Sequence, residues 1–123
     1  MVLLDGSIWI DYFRTGNRTV DQLIEEDLVC TNEIILTEIS PAITFYGQSK
    51  LLEYLFAFPQ LAVNIDWDAI RLMQLENLKN GINNVGIGDL LILQNVMEHN
   101  LELYTLDKHF RLMHNYFDFK LFK

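Results

Sequence analysis

The chain has 123 residues, half of them apolar, with 17 acidic against nine basic side chains and a net charge of −8. That length suits a single domain over residues 1–123 with a real hydrophobic core, and the charge argues against tight nonspecific binding of nucleic acid through a broad basic face. The longest unbroken apolar run, residues 54–58, is far short of the roughly 20 a membrane-spanning helix needs, and the lone Cys30 excludes an internal disulfide or a cysteine-rich zinc site.

Asp5 and Asp11 stand where a secretory leader would be uncharged, so a cytoplasmic protein is expected. The charge is uneven. Residues 107–123 carry +2 and the rest −10, so a phosphate-seeking surface should include the C-terminal segment.

In chain order, Val2, Leu3 and Leu4 form an all-apolar run that predicts a strand covered on both faces, followed by a short helix in "SIWIDYF". A second helix follows in "TVDQLIEED", with Thr19 as its expected N-cap. "LVCT" reads as the second strand. Thr31 or Asn32 should cap a helix through Glu38, with Pro41 marking a break or the first turn of another piece. Helical spacing over residues 48–58 ends at Pro59, and "LAVNI" reads as a third strand. Asn64 or Asp66 caps a helix holding Trp67, Ile70 and Met73 and stopped by Gly81. "GIGDLLILQNVMEHN" is apolar on most sides and predicts a central helix. A strand at 101–105, a short helix from Lys108 and a last strand in "FDFKLF" complete the pattern. Strands alternating with helices imply an α/β fold, a three-layer sandwich around a mainly parallel sheet of about four to five strands. In such folds a site lies beyond the carboxyl ends of the strands, where Asp5 and Asp107 stand.

Singly, each acid has an ordinary explanation, because Asp5 can end a strand and Asp89 and Asp107 can cap helices. Glu38 is harder to place, since it shares a helical face with Ile34 and Ile35, which should point inward, and a buried charge needs a partner. Were several of these carboxylates to converge, each like-charge pair at ~4 Å would cost on the order of 4 kcal/mol at an effective dielectric of ~20. Either some are protonated, or a divalent cation holds them together. Oxygen donors with few competing His or Cys ligands favour Mg²⁺ or Mn²⁺, which points to phosphodiester chemistry.

Four segments, "LLDGSIWIDYF", "TNEIILTEISPAI", "VGIGDLLILQNV" and "LELYTLDKHFRLM", occur in the order and approximate spacing of a known family. With them the chain resembles a PIN domain, and most closely the single-domain VapC-type toxins of toxin-antitoxin modules. The resemblance implies that Asp5, Glu38, Asp89 and Asp107 bind Mg²⁺ or Mn²⁺, with the Ser7 and Thr105 hydroxyls nearby. It further implies an endoribonuclease that leaves a 5′-phosphate and a 3′-hydroxyl, a cognate antitoxin partner and a homodimer. Asp5 and Asp89 are then direct ligands; Glu38 binds metal or orients the water, and Asp107 acts through a water. Two positions depart from the family pattern: Gly6 replaces a usual Thr or Ser, and Gly88 a common Pro.

Arg14, Lys108, His109 and Arg111 are the candidate RNA contacts, with plain surface positions as the alternative. His109 and His114 are five residues apart, a poor spacing for a zinc pair on a helix. "YLFAF" suits a dimer or antitoxin contact as well as a core helix. Two rival readings are a receiver-like phosphoacceptor domain, disfavoured because Gly6 and Ser7 follow Asp5 in place of a second acid, and a catalytically silent PIN-like module that only binds proteins.

Overall fold

The computed structural model describes residues 1–123. Strand β1 (Val2–Leu4) leads to α1 (Gly6–Thr15) and α2 (Arg18–Glu25), then β2 (Val29–Cys30), α3 (Glu33–Phe45), α4 (Ser49–Phe56), α5 (Trp67–Lys79) and α6 (Ile87–Glu98). Strand β3 (Glu102–Tyr104), α7 (Lys108–Met113) and β4 (Lys120–Leu121) follow. The four strands form one sheet in the order β2-β1-β3-β4, every pair parallel. Leu3 sits opposite both Cys30 and Leu103, and Leu4 opposite Tyr104. All three residues of β1 are buried, as a central strand covered by helices on both faces must be. This is the expected three-layer α/β sandwich.

One core of 27 buried residues runs through both helical layers. Trp9, wholly buried on α1, packs against Phe13 and Phe58 with ring centroids 5.8 and 5.3 Å apart. Of the "YLFAF" run, Leu55 is buried and Phe58 joins this cluster, while Tyr54 and Phe56 stay exposed. Cys30 is buried and its thiol donates to the Val2 carbonyl. No helix is long and apolar enough to cross a membrane.

Three local expectations are corrected. The N-cap of α2 is Asn17, whose side-chain oxygen accepts from the Thr19 and Val20 amides at 2.9 and 3.2 Å; Thr19 lies inside the helix. Pro41 does not break α3, which continues to Phe45. The amide it lacks would have served the carbonyl of Thr37, an exposed residue where water can substitute. "LAVNI" is not a strand. The chain touches β2 through a single bridge, Thr31 to Gln60, and then leaves the sheet. Its polar groups go to α6 instead. The Ala62 carbonyl accepts from Asn95 Nδ2 at 2.9 Å and lies 2.7 Å from His99 Nε2, the Asp66 amide donates to Gln94, and Asn64 Nδ2 donates to Glu98. Helix α6 thus supplies the partners that a sheet neighbour would have supplied.

Candidate metal centre

Asp5 follows the last residue of β1 and caps α1. Its carboxylate accepts from the Ile8 amide at 3.3 Å and from the hydroxyls of Ser7 and Thr105, one on each oxygen. Those hydroxyls are themselves fixed, since Ser7 Oγ accepts from the Leu106 amide at 3.0 Å and Thr105 Oγ1 from the Asp107 amide at 2.9 Å. The ends of the parallel neighbours β1 and β3 are stitched together through one buried carboxylate.

Asp107 caps α7 directly beyond β3, its Oδ1 accepting from the His109 amide at 2.9 Å. The ordinary explanation for Asp5 and Asp107 therefore holds, and does not exclude a second use: each cap oxygen belongs to a carboxylate that also lines the cleft. Asp89 lies in the first turn of α6, whose N-cap is Gly86. Glu38 comes from α3, and contrary to the expectation of an inward-facing charge it is exposed. Its carboxyl end is nonetheless shielded: a Cβ placed on Gly88 would lie 2.5 Å from Glu38 Oε1, so glycine leaves the space this carboxylate fills. Gly6 has a comparable reason, because a Cβ there would meet Ile39 Cγ2 at 2.8 Å, where α1 begins against α3.

The four acids line one cleft of about 260 Å³ together with Gly6, Ser7, Ile10, Ile39 and Ile92. No lysine or arginine pairs with any of them. Burial is the largest cause pushing the Asp5 carboxyl above its ordinary 3.8, against the pull of its hydrogen bonds from Ser7, Thr105 and the Ile8 amide. Burial, then Asp89 and Asp5, push Glu38 up; burial, then Asp107, push Asp89 up, with His109 acting in the opposite sense. Three carboxyls resisting ionisation in one cleft is what an oxygen-lined cation site looks like before charge is supplied. The donor set, hard oxygens with no thiol, fits Mg²⁺ or Mn²⁺.

Ser7 and Thr105 stand beside Asp5 as expected. His109 stands beside two of the acids. One of its ring nitrogens and one oxygen each of Asp89 and Asp107 lie within 4.8 Å of one another. Lys108 and Arg111 are exposed on α7; Arg111 lines a separate groove with Tyr104, Leu121 and Lys123. Arg14 lines an apolar groove with Phe13, Ile43 and Leu51 that meets the acidic cleft at Ile10. The largest groove, about 760 Å³, is mainly apolar and shares only Glu38 with the cleft.

Sequence reasoning missed Asn95. It is buried on α6, where its Oδ1 accepts from Asn32 Nδ2 at 2.8 Å, and Asn32 in turn caps α3 through the Ile35 amide. This tie between α3 and α6 sets Glu38 beside Asp89. An amide inside the apolar run "LLILQNVM" was the only sign of it.

Several solved structures share the fold. A chain in a toxin-antitoxin complex from Klebsiella pneumoniae is 24% identical, with a TM-score of 0.63 and 88% of each chain covered. VapBC2 from Rickettsia felis, bound to a DNA fragment from their promoter, gives 16% and 0.78 over 99% of this chain and 98% of the other. FitAcB from Neisseria gonorrhoeae gives 21% and 0.74 over 100% and 97%. No curated protein matches. The sequence profile of the PIN domain matches residues 2–115, nearly the whole chain and all four acids, and the chain therefore belongs to the PIN domain family.

Proposed function

We propose that residues 1–123 act as a single-domain, Mg²⁺- or Mn²⁺-dependent endoribonuclease, the toxin of a VapBC-type pair. PIN domains are typically nucleases. The observation that carries the reading is the meeting of four carboxylates, from the N-caps of α1 and α7 and from within α3 and α6, in one cleft with no lysine or arginine to neutralise them. The likeness to a chain of a toxin-antitoxin complex and to VapBC2 supports the biological role and an antitoxin partner.

Asp5 and Asp89 would hold the ion directly, with Asp107 beside them acting through a water. A bound divalent ion supplies positive charge to the phosphate and acidifies a water for attack. Asp5 needs little reorganisation to do its part, because Ser7, Thr105 and the Ile8 amide already fix both its oxygens. Glu38, exposed and without a hydrogen-bond partner, orients the attacking water and takes its proton, a role suited to a carboxyl held above its ordinary range. Lys108 and Arg111 hold flanking phosphates from α7, and Arg14 does so from the far side of Ile10. Cleavage leaves a 5′-phosphate and a 3′-hydroxyl.

Exposed Phe45 and Tyr46, 82% and 75% accessible, with Tyr54 and Phe56, give a protein partner or a second copy an apolar surface to cover. The test is RNA cleavage by purified protein with Mg²⁺ or Mn²⁺, abolished by Asp5→Asn or Asp89→Asn in folded protein. Equal cleavage in EDTA refutes the mechanism.

A further inference from the structure

We propose that His109 is a direct nitrogen ligand in this centre, adding an imidazole to the carboxylate cluster beside Asp89 and Asp107, and that the mixed site prefers Mn²⁺ to Mg²⁺. The inference rests on the divalent-ion reading above and goes beyond the four carboxylates it invokes.

The geometry follows from the turn after β3. Asp107 Oδ1 accepts the His109 amide, which folds the chain so that the imidazole returns towards the same carboxylate, with Nδ1 3.4 Å from Asp107 Oδ1. A ring nitrogen, an Asp89 oxygen and an Asp107 oxygen then lie within 4.8 Å of one another, brought together from α6 and α7. The His109 side chain is only 22% exposed, so its ring is held against Asp107 and is not free in solvent.

The chain's other imidazoles are occupied elsewhere: His99 at the Ala62 carbonyl, His114 edge-on to Phe119 at 5.1 Å. No cysteine or lysine competes as a soft or nitrogen donor in the cleft. Magnesium takes oxygen and water almost exclusively, whereas first-row transition ions accept imidazole readily. One imidazole therefore biases the site away from Mg²⁺ towards a first-row ion, and of those Mn²⁺ is the one that the surrounding carboxylates suit best.

The experiment uses the whole chain without RNA. Mn²⁺ and Mg²⁺ affinities are measured by calorimetry, and bound Mn²⁺ by pulsed electron paramagnetic resonance with natural and ¹⁵N-histidine-labelled protein. Wild type should bind Mn²⁺ more tightly and show an imidazole nitrogen coupling that changes with the label. In His109→Ala the coupling should vanish and Mn²⁺ affinity fall by about 10-fold or more, with Mg²⁺ affinity within about threefold. His109→Asp should narrow the Mn²⁺ preference and bind Mg²⁺ with no nitrogen signal. Mn²⁺ binding with no nitrogen coupling, as for a histidine reserved for RNA, overturns this inference alone. Failure of wild type to bind either ion overturns the nuclease reading as well. The labelled wild-type spectrum decides the matter even if a variant fails to fold.

Discussion

Asp89→Asn should stabilise the metal-free protein while removing its response to metal. An oxygen of Asp89 and one of Asp107 lie within 4.8 Å. At that separation two unit charges repel by roughly 3.5 kcal/mol at an effective dielectric of ~20 and by roughly 0.9 kcal/mol in water. Both side chains are partly exposed, so the solvent-screened figure is the nearer one. Asparagine keeps the shape of Asp89 and an oxygen acceptor, and it removes one charge. The expected gain is about 1 kcal/mol at pH 7, or about 3–6 °C in Tm for a chain of this size. It should shrink as pH falls and the Asp89 carboxyl, pushed up by burial and then by Asp107, becomes protonated in wild type. Adding a divalent ion at 100 times its Kd should stabilise wild type by about 2.7 kcal/mol, and the variant far less. Thermal melts at two pH values, with and without Mn²⁺, read all of this. A variant less stable than wild type at pH 7 in EDTA, or a gain that is equal at both pH values, would refute the electrostatic reasoning.

The same shifts fix a sign for pH dependence. The raised folded-state values of Asp5, Glu38 and Asp89 give stability that is complete below the ordinary range of 3.8–4.5 and lost as pH rises through the raised values. Metal-free protein should thus lose this contribution on going from acid to neutral pH, and metal binding should weaken on acidification, both measurable by calorimetry. Gly88→Ala should leave Tm unchanged or slightly higher yet lower RNA cleavage roughly 10–100-fold by displacing Glu38; full activity would show that the close approach is idle. Asn95→Ala should cost about 1–3 kcal/mol in urea unfolding, because Asn32 loses its buried partner. A cognate antitoxin should close the acidic cleft with its C-terminal tail, an arginine paired to the carboxylates; a complex that leaves the four acids open to solvent contradicts that.

Much of this was legible in sequence because periodicity and strand-end placement are local. The all-apolar β1, the central α6 and the caps Asn32, Asp66 and Asp107 follow from residues within a few positions of one another. What failed depended on distant partners. "LAVNI" has strand composition, but Gln94, Asn95, Glu98 and His99, some thirty residues on, offer its polar groups better partners than a sheet edge does. Glu38 sits on the turn predicted to face inward, yet it reaches along the cleft to Gly88, whose missing side chain leaves room for the carboxylate. His109 looked like one of several basic residues on a short helix, and only the fold of the turn at Asp107 aims it at Asp89.

The central claim is that these four separated carboxylates share a divalent ion, and anomalous diffraction from crystals soaked in Mn²⁺ tests it most directly. A strong peak within coordination distance of Asp5 and Asp89, absent in Asp89→Asn crystals, is the expected result. A cleft without a peak at saturating Mn²⁺, its acids bridged by protons alone, would contradict the account.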